Sequence, residues 1–264
     1  YRFYRDIDKD LHSQHVFTNV DTKTVQSMLD DAISNNHMYL PENEAEKILS
    51  IYGLPIVPSA LAKSSEEAAS IAQSIGFPVV LKIVSPDIIH KSDVNGVVIN
   101  VNTAEEVRRS FEEITGNILK IKPEARIEGI QISKMIMAGV EVILGVKRDQ
   151  SFGPVIMFGL GGLYVEVFKD VSFRIAPIDE AISDSMIKQT KSYKILKGIR
   201  GKAPRDIPAI KECLIRLSQL ALECPQIKEL DINPLIVLEE TKGCYVADAR
   251  IMLNLPTENE SKTN

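Results

Sequence analysis

The stretch PVVLKIVSPDIIHKSDVNG, Pro78–Gly96, decides how the rest of the chain is read. An apolar run of Val79, Val80, Leu81, Ile83 and Val84 carries a single lysine, Lys82. A polar loop follows with His90, Lys91, Ser92, Asp93 and Gly96, and Val97–Val101 returns as a second apolar run. Two strands joined by such a loop suit a polyphosphate, because backbone amides and ammonium groups neutralise phosphate charge. The plain alternative for Lys82 is an ion pair with a carboxylate at the edge of the core. The loop after it tips the balance towards phosphate. A lone histidine is usually an ordinary hydrogen-bonding residue. In this loop His90 is also a candidate phosphoryl acceptor, since imidazole is nucleophilic near neutral pH and leaves readily.

Working outward, Ser64-x-x-Glu67 and Thr103-x-x-Glu106 are capping boxes that open helices before and after the loop. Gly76 and Pro78 close the first helix, and the second runs to about Leu119. Residues 58–122 therefore read as a compact α/β lobe. Upstream, Thr24–Asn35 has helical apolar spacing, and Pro41–Tyr52 is a helix with Pro41 in its first turn and Gly53 as its stop. Downstream, Ile130–Ile136 and Val140–Val146 are apolar strands around Met137-Ala138-Gly139, which predicts a hairpin. A glycine loop, Gly159, Gly161 and Gly162, precedes Glu166, Lys169, Asp170 and Arg174. Asp179 caps a helix to Lys188, residues 188–205 form a basic connection, and Asp206–Glu223 is expected to be the longest helix. Ile227–Leu238 and Cys244–Met252 form a last strand pair about the turn Glu239–Gly243.

Composition excludes several function classes. The 264 residues are 44% hydrophobic and 25% charged, with a net charge of -5. That is an ordinary globular balance and argues against a general nucleic-acid or anionic-membrane binder. No apolar run approaches the ~18 residues of a membrane span. Cys213, Cys224 and Cys244 follow no metal-ligand spacing and are expected as reduced thiols of a cytoplasmic protein. No GxxxxGK[ST] segment occurs, and the glycine loop does not follow a strand and open a helix in the dinucleotide-binding manner.

One more group carries chemistry. Asp231, Asn233 and Asp248 lie on the two strands of the last hairpin, and Asp231 and Asn233 share a face because they are two residues apart. Hard oxygen donors suit Mg²⁺ bridged to nucleotide phosphates, although Asp and Asn are also common at turns and sheet edges.

These pieces together resemble an ATP-grasp domain, and more closely the β subunit or C-terminal part of the ADP-forming acyl-CoA synthetases, relatives of the succinyl-CoA synthetase β chain. The resemblance covers about residues 40–253. It rests on YGLPIVP, FPVVLKIVSPDIIHKSDVNGVV, FGPVIMFGLGGLYVEVFKDVSFRIAP and ELDINPLIV with YVADARI. It implies an α/β ATP-grasp fold whose two α/β lobes clamp a nucleotide. The larger lobe would hold 41–57 and 123–256, the smaller 58–122, with an arm over 1–40 and a loose tail over 257–264. By resemblance, Lys82 touches the phosphates, the Ser133–Ile136 hinge (Ser133, Lys134, Ile136) faces adenine, and Glu141 binds the ribose. Arg174 joins the nucleotide-binding group, Asn233 and Asp248 hold Mg²⁺, and Asp231 lies near the phosphoryl path. His90 matches a second phosphoryl carrier. The implied cofactors are ATP or ADP and Mg²⁺. The implied partner is a CoA-binding α half, separate or fused upstream, which holds CoA and the carboxylic acid. The implied reaction is acid + CoA + ATP = acyl-CoA + ADP + phosphate. Two other readings are a regulatory synthetase-like module of a protein acetyltransferase and another ATP-grasp carboxylate ligase. The retained metal pair speaks against the first, and His90 is unexplained by the second.

Overall fold

A computed structural model describes residues 17–88, 91–161, 170–199 and 201–255. His90, Gly162, Glu166, Lys169, the 257–264 tail and the first part of the 1–40 arm lie outside the described residues. The chain divides into two compact units, 1–56 with 139–264, and 57–138.

The smaller unit is an antiparallel sheet of β1 (Ser59–Ala62), β2 (Val79–Val84), β3 (Val97–Val101) and β4 (Gly129–Lys134), in the order β1-β4-β2-β3. Its two helices, α3 (Ser65–Ile75) and α4 (Ala104–Ile121), start at the capping residues the sequence marks. Ser64 Oγ accepts from the Glu67 amide at 3.2 Å, and the Glu67 carboxylate reaches back to the Lys63 amide at 2.7 Å. Thr103 and Glu106 repeat this arrangement at 3.1 and 2.7 Å. Such caps satisfy amides that have no partner inside the helix. Leu81, Ile83, Ile130 and Ile132 face the helices and meet Ala68, Ala72, Val107, Ile114 and Ile118 in one buried cluster.

The larger unit is built on an antiparallel sheet in the order β10-β8-β5-β6-β7, with β9 paired to β8. Its strands are β5 (Val140–Asp149), β6 (Gly153–Leu160), β7 (Val171–Ile175), β8 (Ile227–Val237), β9 (Cys244–Val246) and β10 (Ala249–Leu253). The helices are α1 (Thr22–Ser34), α2 (Glu42–Ile51), α5 (Glu180–Gln189), α6 (Ser192–Leu196) and α7 (Ile207–Glu223). Alternate residues Val142, Leu144, Val146, Ile156, Phe158, Leu230 and Ile232 form a core with Ile210, Leu214 and Leu217 of α7. Asp206 fixes the start of α7 by accepting from the Ala209 amide at 3.1 Å and from the Gly243 amide at 2.9 Å. That second bond ties the helix to the β8–β9 turn. Among the described residues, no helix is long and apolar enough to cross a membrane.

Three expectations are corrected. The 130–136 and 140–146 runs are not a hairpin: β4 pairs with β1 and β2, whereas β5 pairs with β6 and β8. Consequently residues 123–138 belong with 57–122, and the division falls at Ala138/Gly139 instead of 122/123. A short connection between two apolar runs looks like a hairpin because the hydrophobic pattern fixes each strand's faces, not its partner. Finally, α4 has 18 residues and α7 has 17.

Candidate functional site

Two sheet faces, one in each unit, carry the candidate residues. In the smaller unit, Lys82 pairs in register with Gln131 and Val97, and Val80 pairs with Ser133. Paired residues share a face, and this face is turned away from α3 and α4. Gln131 and Ser133 are both buried there, and Gln131 Nε2 donates to Ser59 Oγ at 3.2 Å. The loop after β2 re-enters as a turn of 3₁₀ helix, Lys91–Val94. Gly96 closes it, its amide donating to the Lys91 carbonyl at 2.8 Å and its carbonyl accepting from the Ile83 amide at 2.8 Å. A Cβ at Gly96 would lie 2.5 Å from Ile83 Cγ2, so only glycine lets the loop close this tightly.

The expected hinge is already partly committed. The Lys134 amide donates to the Pro58 carbonyl at 2.9 Å and the Met135 amide to the Pro78 carbonyl at 3.0 Å. The Lys134 ammonium donates to the Gly76 and Phe77 carbonyls, each at 2.8 Å. Lys134 therefore clips the end of α3 to β4, and its side chain is spent on that contact. Ile136 lies just beyond the ladder.

In the larger unit, Asp231 pairs with Gly145 on one side and Arg250 on the other. Asn233 lies across from Asp248, its amide donating to the Asp248 carbonyl at 3.1 Å. The buried partners Ile232, Ala249 and Ile251 point to the core. Asp231, Asn233, Asp248 and Arg250 therefore share the face that the helices do not cover. The β5–β8 register shifts between Val142 and Leu144, where Leu235 and Ile232 are their partners. The extra residue is a bulge in β8 at Asn233-Pro234, and bulges re-aim side chains. Glu141 is exposed on β5 and, four residues from Gly145, lies on the same face about 13 Å along the strand.

Asp231 leans across Gly145: a Cβ at that glycine would be 3.4 Å from Asp231 Oδ1 and 3.0 Å from Met157 Cε. The side chain keeps solvent access, yet the protein around its carboxyl raises its pKa, and nearby Glu229 adds to this against Arg250 and Lys147. Lys147 and Glu229 form an ion pair at 3.1 Å. Gly161 lies against β5, its amide donating to the Glu141 carbonyl at 2.9 Å, and a Cβ there would be 2.8 Å from the Glu141 carbonyl carbon.

Arg174 does not join this face. It pairs with buried Ile156 and so points to the helix layer, where its guanidinium donates to Ser185 Oγ at 3.2 Å and Gln189 Oε1 at 3.1 Å on α5. Asp170 is occupied as well, accepting from the Lys191 and Ser192 amides at 2.8 and 2.9 Å. Sequence reasoning passes over Gly145 and Gln131. A glycine inside the apolar run of β5 is the trace Gly145 leaves, since strand glycines mark close approaches. Gln131 leaves no trace without the register.

A model of the ATP-grasp domain family matches residues 31–253. The β subunit of Pyrococcus furiosus acetate–CoA ligase [ADP-forming] I is 47% identical over 81% of this chain and 91% of its own length. The chain belongs to the ATP-grasp family and matches the β subunit or C-terminal part of ADP-forming acetate–CoA ligases. The 4-hydroxybutyrate–CoA ligase [ADP-forming] of Nitrosopumilus maritimus is 45% identical over 89% of this chain and 34% of its own length. The chain thus spans about a third of such longer relatives. Acetyl-coenzyme A synthetase 1 of Ca. Korarchaeum cryptofilum, solved with coenzyme A and Ca-AMPCP, matches with a TM-score of 0.83 and 49% identity, covering 87% of this chain and 99% of that one. The same protein with coenzyme A and Mg-AMPPCP has its phosphohistidine segment pointing towards the nucleotide site, and matches with a TM-score of 0.77, 45% identity, and 87% and 100% coverage.

Proposed function

We propose that this chain is the nucleotide-binding and phosphoryl-transfer part of an ADP-forming acyl-CoA synthetase, completed by a CoA-binding α half that also holds the carboxylic acid. The observation that carries this reading is the row of oxygen donors on one helix-free face of the larger sheet. Asn233 and Asp248 lie opposite each other at a bulge with Asp231 one step away. Carboxylate and amide oxygens without sulfur or imidazole match a hard divalent cation, so the donor set fits Mg²⁺. When bound, Mg²⁺ supplies charge neutralisation to the nucleotide phosphates. Asn233 and Asp248 hold it, Lys82 gives an ammonium to the phosphate oxygens, and Glu141 accepts from the ribose hydroxyls. His90 receives the phosphoryl group through an imidazole nitrogen and later releases it. The Korarchaeum relative, crystallised with Mg-AMPPCP and a phosphohistidine segment, supports both the metal–nucleotide pairing and a histidine carrier.

Calorimetry with Mg-ATP tests the reading. Asn233→Ala and Asp248→Ala are each expected to weaken Mg²⁺-dependent nucleotide affinity at least about tenfold, which corresponds to ~1.4 kcal/mol. Wild-type affinity in both variants, with Mg²⁺ still required, would sink the metal assignment.

A further inference from the structure

Cys213 on α7 and Cys244 at the start of β9 have no part in the chemistry described above. Their sulfurs are 3.5 Å apart. The two residues are only 2% and 3% exposed, yet both line one cavity of ≈ 320 Å³ that opens to solvent beside Gly53, Arg216 and Lys242. The third cysteine is excluded from this pair by geometry. Cys224 caps the far end of α7, about 16 Å from Cys213 at 1.5 Å per residue, and its sulfur lies 3.6 Å from Tyr52 Oη.

We propose that Cys213 and Cys244 form a dithiol redox site, converted to an internal disulfide by a low-molecular-weight disulfide entering this cavity. One protein thiol gives its proton to solvent, and its sulfur attacks a sulfur of the incoming disulfide. The reagent's S–S bond breaks, one thiolate leaves and a mixed disulfide forms. The second protein sulfur, deprotonated in turn, attacks the protein-side sulfur of that bond and expels the other thiolate. The protein loses two hydrogens and two electrons, and the reagent gains them as two thiols. The hydrogen bond with Cys244 and then burial push the Cys213 thiol up, so the exchange calls for a mildly alkaline medium that supplies thiolate.

The sulfurs must close from 3.5 Å to about 2.05 Å. Beside the cavity Arg216 is paired with Glu212 at 2.7 Å and Lys242 with Glu239 at 2.6 Å, so the charges around the pair are balanced and small size is what the lining asks of the reagent. The bridge would join α7 to the hairpin beyond Gly243. A closed loop of 31 residues restricts the unfolded chain and so raises stability.

The test uses the whole chain in oxidised glutathione at pH 8, followed by acid quenching, alkylation and peptide mapping. The expected product is about 2 Da lighter, carries one Cys213–Cys244 cross-link and leaves Cys224 alkylated. Its melting midpoint rises by about 5 °C and returns to the starting value in dithiothreitol. Cys213→Ser and Cys244→Ser should each stop at one glutathione on the remaining partner, with no rise in midpoint. Should either fail to fold, Cys224→Ser supplies the check, because it keeps the pair and must cross-link like wild type. The proposal falls if cross-links involve Cys224. It also falls if the folded chain keeps three alkylatable thiols under conditions that oxidise the chain in urea.

Discussion

At the residue scale, Asp231 is a carboxyl whose surroundings disfavour its charged form. Its carboxyl lies over Gly145 beside Met157, with Glu229 on the same strand two residues before it. Burial first and Glu229 second raise its pKa. A carboxyl with a raised folded-state pKa contributes stability that is present in full below the unfolded value of about 4 and is lost as pH rises through the folded value. Above that folded value the carboxylate of Asp231 therefore costs stability in the metal-free chain, as groups placed for function commonly do. Asp231→Asn removes the charge and keeps the shape. Without Mg²⁺, its melting midpoint is expected to exceed that of wild type at pH 7, and the gain should fade towards pH 4. A lower midpoint at pH 7 would show that the carboxylate is instead a structural partner.

At the element scale, the contrast between Lys82 and Lys134 shows what periodicity can and cannot reveal. Both are lysines at the polar face or end of an apolar strand. Lys82 shares the helix-free face with Gln131, whereas Lys134 is drawn to the Gly76 and Phe77 carbonyls that directly follow α3, beside the end where a helix presents partial negative charge. The caps at Ser64, Thr103 and Asp179 were legible because capping is a local rule written within four residues. The strand partners of β4 and the side chosen by Arg174 were not legible, because both depend on register between segments distant in sequence. A charge-assisted hydrogen bond contributes roughly 1.5–3 kcal/mol. Lys134→Met should accordingly lower unfolding stability by about 2 kcal/mol, with the aliphatic stem replaced and both carbonyls re-solvated. Chemical denaturation and Mg-ATP calorimetry on the same variant separate the two roles. Unchanged stability with a tenfold loss of affinity would return Lys134 to the nucleotide.

At the scale of the whole molecule, each unit has its own core and one sheet face turned away from its helices, which carries Lys82 and Gln131 in one unit and Asp231, Asn233 and Asp248 in the other. The motifs on those faces were readable from the sequence because they are short and contiguous. Gly145, which makes room beneath Asp231, was not, since its role exists only across the β5–β8 pair. The chain matches almost the full length of separate β subunits and about a third of the longer ligases, which is consistent with an α half that is a second subunit in some relatives and fused in others. On the proposed function, moving a phosphoryl group from nucleotide to the α half requires a carrier that is a good nucleophile and then a good leaving group, and an imidazole such as that of His90 has both properties. With the α half supplied in trans, the wild-type chain is expected to support ATP-dependent acyl-CoA synthesis. Under the same conditions His90→Ala should retain Mg-ATP affinity but lose synthesis. Radiolabelled ATP should leave an acid-labile, base-stable label on the wild-type chain and none on this variant. If the variant turns over at the wild-type rate, the phosphoryl group reaches the α half without His90, whose place in the loop then reduces to hydrogen bonding with phosphate.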